Sequence, residues 1–188
     1  MKALARMFVV FAAMVLAVPA LAQIQGPGGS YDSGSSPVQT ATPNASSHAA
    51  GSSVGGLFSI PIARINGGTG IITSFYWASS GGAVTQLLVR LWDVKPATAT
   101  CTDQVAYAGN ATDDTHLITA PFTVTPAAPA VTTGDAKTYA GLGGLTLSFK
   151  NQDTSPTKNV YACVVTVTTD TADESNPVYI NLTGIQDQ

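Results

Sequence analysis

Nucleophilic catalysis needs a base beside a Ser, Thr or Cys, and a third group that orients the base. The chain offers two histidines, His48 and His116. His48 falls in a stretch filled with Gly, Ser, Pro and Thr, where no shell holds a side chain to catalytic tolerance. His116 follows Asp113-Asp114, which allows a His–Asp contact, but no G-x-S-x-G elbow supplies a nucleophile. Glycoside hydrolysis needs two placed carboxylates. The single glutamate, Glu174, lies in the turn-like run Asp170-Thr-Ala-Asp173-Glu174. Asp103, Asp113, Asp114, Asp170, Asp173 and Glu174 are the oxygen donors available to a calcium ion, and their spacing matches no EF-hand loop. Gly67-Gly68-Thr69-Gly70 and Gly141-Leu142-Gly143-Gly144 lack the Lys-Ser/Thr that follows in a phosphate cradle, so both read as turns. No catalytic residue, metal ligand or cofactor is assigned, and a secreted hydrolase is the least supported class.

Binding and cross-linking are better represented. Trp77, Trp92, Tyr76, Tyr107 and Tyr179 are the aromatics that would make a platform for sugar rings. Trp77 shares a strand face with Ile71 and Phe75 and is expected in the core. Trp92 ends its strand, so Trp92 and Tyr107 are the candidate ligand-binding residues. Cys101 and Cys163 are expected to pair, closing a loop that the chain-entropy model values at about 4 kcal/mol. The alternative is two unpaired thiols, one of them buried in a strand.

The leader sets the compartment in which these groups work. Lys2 and Arg6 make a positive start, Met7 to Val18 an apolar core, and Ala20-Leu21-Ala22 a small-x-small cleavage site. Residues 1–22 are therefore expected to be a signal peptide, with the mature chain starting at Gln23. The apolar run is too short for a bilayer span, which needs roughly 20 residues. An exported protein of the periplasm, cell surface or medium is expected, without membrane insertion, and in that compartment disulfides persist. The remaining chain carries six basic against eleven acidic residues. Scattered positive charge of that kind argues against nucleic acid, whose phosphates call for clustered Lys and Arg.

The elements that would position the residues are short strands. Residues 23–53 show no apolar periodicity and are expected to form a flexible arm, either a tether or a solvated tail. From Val54 the pattern alternates. Phe58, Ile60 and Ile62 share one face of a first strand; Asn66-Gly67 signals a hairpin into a second strand carrying Ile71, Phe75 and Trp77. Gln86 to Trp92 is apolar on both faces except at Arg90, as in a central strand. His116 to Val124 alternates around Pro121, which demands an edge or a break. Leu145, Leu147 and Phe149 alternate with Thr146, Ser148 and Lys150. Tyr161 to Val167 and Val178 to Leu182 close the series. Residues 54–188 thus predict an all-β domain, an antiparallel β-sandwich or jelly roll of seven to eight strands.

With the strands laid out, several segments resemble the head-decoration-like accessory proteins of tailed-bacteriophage particles. They are Ser52 to Leu57, Ile65 to Ile72, Leu91 to Pro96 with Thr102-Asp103, Val178 to Leu182, and Ile185-Gln186-Asp187. The resemblance covers 52–188 and implies a β-sandwich that adds to a repeated protein lattice, as a homo-oligomer and without chemistry. The leader departs from that group, since virion parts assemble in the cytoplasm. Two locations follow, exported or virion, and two roles, a particle accessory protein or an exported module binding carbohydrate or another surface ligand.

Overall fold

The computed structural model describes residues 31–36, 39–43, 47–79, 86–127, 138–153, 155, 157–169 and 177–187. The expected leader, and the turn that carries Glu174, lie outside the described residues. Among the described residues there are nine strands: β1 (Tyr31–Ser35), β2 (Gln39–Ala41), β3 (Ser53–Pro61), β4 (Thr69–Ser79), β5 (Leu87–Trp92), β6 (Phe122–Val124), β7 (Thr138–Lys150), β8 (Asn159–Thr166) and β9 (Val178–Asp187). One short helix, α1, spans Ala111–Asp114.

The strands form a five-stranded sheet, β1-β9-β4-β7 with β2 also on β9, and a four-stranded sheet, β3-β8-β5-β6. Strands β1 and β2 lie end to end along one edge of β9, so nine segments fill eight strand positions. Every pairing is antiparallel, and the chain doubles back on itself as a ribbon: β1/β2 with β9, β3 with β8, β4 with β7, β5 with β6. The ribbon is wound so that β4 meets β9 and β5 meets β8, which is jelly-roll topology.

Between the sheets lies a core that includes Phe58, Ile60, Phe75, Trp77, Leu91, Val164 and Leu182. Phe58 meets Trp77 edge-on with ring centroids 6.4 Å apart, as does Phe75 with Phe122 at 5.7 Å. Trp77 is fully buried, as its strand face implied. Strand β5 is interior, as its two apolar faces required, and β6 is an edge strand bounded by Pro121.

Three expectations are corrected. The arm expected over 23–53 does not extend to 53: from Tyr31 onward its described residues pair with β9 or pack on the four-stranded sheet. The signal was missed because these strands are too short and polar to show periodicity. The Asn66-Gly67 turn is not a hairpin. Gly67 does take a positive φ of 71°, but the turn carries the chain from one sheet to the other. Strands β3 and β4 bury apolar faces in the same core from opposite sides, which a hairpin within one sheet cannot do. Finally, a bulge at Thr73, between Ile72 and Ser74, shifts the phase of β4. Ile72 therefore shares the inner face with Phe75 and Trp77, and Ile71 points out at 37% exposure.

Close approach of β4 and β9 explains two glycines. A Cβ on Gly70 would sit 2.6 Å from the Ile185 carbonyl oxygen, and one on Gly184 2.6 Å from that of Ile71. Both contacts are with backbone and cannot swing aside.

Candidate functional site

The two sheets have unlike outer faces. On the four-stranded sheet, Trp92, Tyr161, Cys163 and Val165 form a second buried cluster with Leu57, Leu88, Cys101, Tyr107 and Leu117. The cover is the excursion 93–121 between β5 and β6. Backbone bonds dock it: Ile118 N–H donates to Leu91 O at 2.9 Å, Ser53 N–H to Val105 O at 3.0 Å, and Tyr107 N–H to Gly51 O at 2.8 Å. The Cys101–Cys163 disulfide, with Cα atoms 6.0 Å apart, staples the excursion to the middle of β8.

Trp92 is consequently 0% exposed and cannot serve as a ligand platform. The strand end that suggested exposure continues into the excursion, which folds over the ring. Tyr107 is half-buried beneath Arg90, whose guanidinium lies 4.4 Å from the ring centroid. Burial pushes the Tyr107 phenol up, with Arg90 opposing. Neither residue of the expected binding pair presents a free aromatic face, and they belong instead to the seam that holds the cover down.

Three of the acidic residues weighed for calcium or acid–base work, Asp103, Asp113 and Asp114, are engaged in the same seam, and Asp170, Asp173 and Glu174 lie outside the described residues. Asp113 accepts the backbone N–H groups of Ala97, Thr98 and Ala99 at 3.0, 2.9 and 2.6 Å. These donors, Ala97 foremost, hold its carboxyl below the usual carboxylate range although burial opposes them; His116 adds a smaller effect. Asp103 accepts from Gly55 N–H at 2.8 Å and pairs with His48 Nε2 at 2.9 Å. Asp114 faces Arg90 at 3.6 Å. His116 lies 3.5 Å from Asp93, rather than against an Asp113 or Asp114 side chain. His48, expected in a flexible arm, is 1% exposed. Among the described residues, no three His, Cys, Asp or Glu side chains gather as a metal site.

A groove of about 600 Å³ lies between Val94–Ala97 and the turn before β8, lined also by Asp153, Ser155, Thr157 and Tyr161. Its polar groups bond to one another. Asp153 accepts from Tyr161 Oη at 2.8 Å, Thr157 Oγ1 at 3.1 Å and Lys95 N–H at 2.7 Å. Burial pushes the Tyr161 phenol up. This network ties the β7–β8 turn to the start of the excursion.

The outer face of the five-stranded sheet is different. Register places its outward side chains in rows across β7, β4 and β9: Ser148, Ile71 and Ile185; Gly143, Ser74 and Thr183; Gly141, Tyr76 and Asn181. Ile71, Tyr76 and Ile185 are 37%, 38% and 38% exposed. No charged residue stands in these three rows, while Lys150, in register with Thr69, stands outward in the next row beyond the isoleucines. Bulges in β4 and β7 fall between the isoleucine row and the next. In the second row Ser74 is hydrogen-bonded to Thr183, and the bulged Thr73 donates its hydroxyl to the Thr183 carbonyl at 3.3 Å.

No protein-family profile matches the chain, and no curated protein matches its sequence. The fold defines a disulfide-tied jelly-roll module with the outer face of one sheet covered by the 93–121 excursion and, on the other, a patch with partly exposed Ile71, Tyr76 and Ile185.

Proposed function

We propose that the protein is a non-enzymatic structural protein that works through the bare face of its five-stranded sheet. The role is that of an accessory component added to a particle or other repeated protein surface. One observation carries this: a patch of hydroxyls, glycines, a tyrosine and two exposed isoleucines, three rows deep without a charged residue, on a chain with more acidic than basic residues. Uncharged and partly apolar surface is the composition of an interface centre, where charged residues are depleted. Export, followed by oxidation of Cys101 and Cys163, fits the disulfide; a virion is the alternative site of action. The test is mass spectrometry of particles and of secreted fractions from a producing culture, for the wild type and for Ile71→Asp. Particle-bound wild type with the variant lost supports the role. A variant that stays bound removes the face from it.

A second role has its own observation. Tyr76 is an exposed aromatic on this face, a ring that suits stacking against a sugar. Binding on a glycan array that Tyr76→Ala abolishes would favour an exported carbohydrate-binding module.

A further inference from the structure

We infer that Asn66 is a latent deamidation site, held shut in the folded protein by the hydrogen bond from the Gly67 N–H to the Thr157 carbonyl. This modification is independent of the surface through which the protein works. Its chemistry is written in the Asn66-Gly67 pair. The glycine nitrogen attacks the asparagine side-chain carbonyl carbon, and with no Cβ on the glycine nothing obstructs the approach. A bond from that nitrogen to Cγ forms, the bond from Cγ to Nδ2 breaks, and ammonia leaves with the amide proton. Water, the sole co-reactant, then opens the five-membered imide, leaving an aspartate or its β-linked isomer at position 66. Nothing is oxidised or reduced.

The first observation is the turn. Asn66 is exposed, so water reaches its amide. Gly68 N–H donates to the Ile65 carbonyl at 3.1 Å, Gly67 has a φ of 71° and Asn66 does not share that positive region, which makes 65–68 a type II turn. The Gly67 N–H is spent outside the turn, on Thr157 O at 2.9 Å. A nitrogen whose proton is bound to that carbonyl is free neither to lose the proton nor to swing toward the Asn66 side chain.

The second observation is what keeps Thr157 in place. Asn151, 4% exposed, grips both sides of the contact. Its backbone N–H donates to Gly68 O at 3.1 Å. Its side chain accepts the Thr157 N–H at 3.2 Å and donates to Thr157 Oγ1 at 3.1 Å and to Asn159 O at 2.7 Å. Beside it, Ile62 and Ala63 both donate their N–H groups to the Lys158 carbonyl, at 3.0 and 2.9 Å. Residues 62–68 and 151–159 are thus laced together, and the Gly67 nitrogen is released only when the lacing opens, a local event of the kind that governs hydrogen exchange. Asn151 is a positioning residue in this scheme. A chain that has opened here carries the new carboxylate afterwards as a permanent mark.

The test incubates the full oxidised chain at mildly alkaline pH and follows the peptide that holds position 66 by mass spectrometry, with the aspartyl isomers separated by chromatography. Folded wild type is compared with the same chain in denaturing urea, and exchange of the Gly67 amide hydrogen is measured alongside. Folding should slow the reaction about tenfold or more, and by no less than it protects the Gly67 amide, since attack needs both the broken hydrogen bond and a rotation. Asn151→Ala should speed the folded-state reaction about fivefold or more, the factor that goes with roughly one lost hydrogen bond. Asp103→Ala, which loosens the 48–55 crossing instead, controls for general destabilisation and should leave the rate unchanged. A folded chain that deamidates as fast as the unfolded one overturns the proposal. So does an Asn151→Ala variant no faster than wild type, or one matched by Asp103→Ala. If Asn151→Ala does not fold, the wild-type comparison with the exchange of Gly67 still decides.

Discussion

His48 bonds through Nε2 to Asp103 Oδ1 at 2.9 Å, joining a polar N-terminal stretch to a loop 55 positions further on. The same carboxylate oxygen accepts the Gly55 N–H, so one aspartate holds both ends of the 48–55 crossing. Gly55 and Gly56, at φ 76° and 78°, make the bulge that turns this backbone toward Asp103. The histidine expected in a flexible arm thus belongs to a clasp.

Removing the clasp should loosen the crossing without dissolving the sandwich. For Asp103→Ala we expect a loss of about 1–3 kcal/mol, the penalty for stranding a buried hydrogen-bonding partner. Hydrogen exchange should quicken at residues 48–55 and 103–107 and stay slow in β4 and β9. Uniform acceleration would contradict a local role.

The disulfide should matter more. Cys101 and Cys163 are 62 positions apart, a loop worth about 4 kcal/mol in the chain-entropy model. Urea unfolding of Cys101→Ala/Cys163→Ala should show that loss, and limited proteolysis should cut first within 93–121, where the staple is gone.

Asp113 should shape the acid limb. Its folded carboxyl titrates below the unfolded value of about 3.9. The contribution is therefore complete above that value and disappears as pH falls through the lower folded one. Asp113→Asn should lower stability at pH 7 and flatten its dependence below about pH 4. An acid limb as steep as that of the wild type would show that other carboxylates set it.

Glycines at two kinds of site should respond in opposite senses. Gly184→Ala drives a Cβ to 2.6 Å from the Ile71 carbonyl and should cost about 2 kcal/mol. Gly143→Ala meets no atom of the described residues within 4 Å and should be neutral or stabilising by up to about 1 kcal/mol. Thermal melts of the two variants at equal, low concentration compare them directly.

Trp92→Ala should act as a core deletion, costing about 3–5 kcal/mol in urea unfolding. A small effect on stability would return the ring to the surface.

Much of the architecture was legible in the pattern of apolar residues. Strands β5 and β8 read as apolar on both faces because both faces are covered, one by the opposite sheet and one by the excursion. Strands β7 and β9 alternate because their outer side is bare. The sequence pattern therefore already held the difference between the two outer faces, before any contact was known. Pairing was less accessible. A residue in β3 shows that it needs a core but not which neighbour supplies it, so Asn66-Gly67 looked like a hairpin. The Thr73 bulge adds one residue without altering composition, and the period-two pattern passes over it. Trp92 was misplaced for a related reason: periodicity reports on a strand, and the polar excursion that covers this ring has none. His48 and Asp103 carried no local signal, since their meeting depends on two irregular segments crossing.

The ribbon winding has a consequence in time. Each strand before the central pair waits for a partner on the far side of the chain, and the outermost pair, Tyr31 with Asp187, spans nearly the whole domain. Pairings so distant in sequence close slowly. During synthesis β1 and β2 cannot find β9 until almost all of the polypeptide has been made. The first strands of the emerging chain are thus held unpaired until the last one leaves the ribosome, and the edge of the larger sheet is the last part of the domain to be sealed.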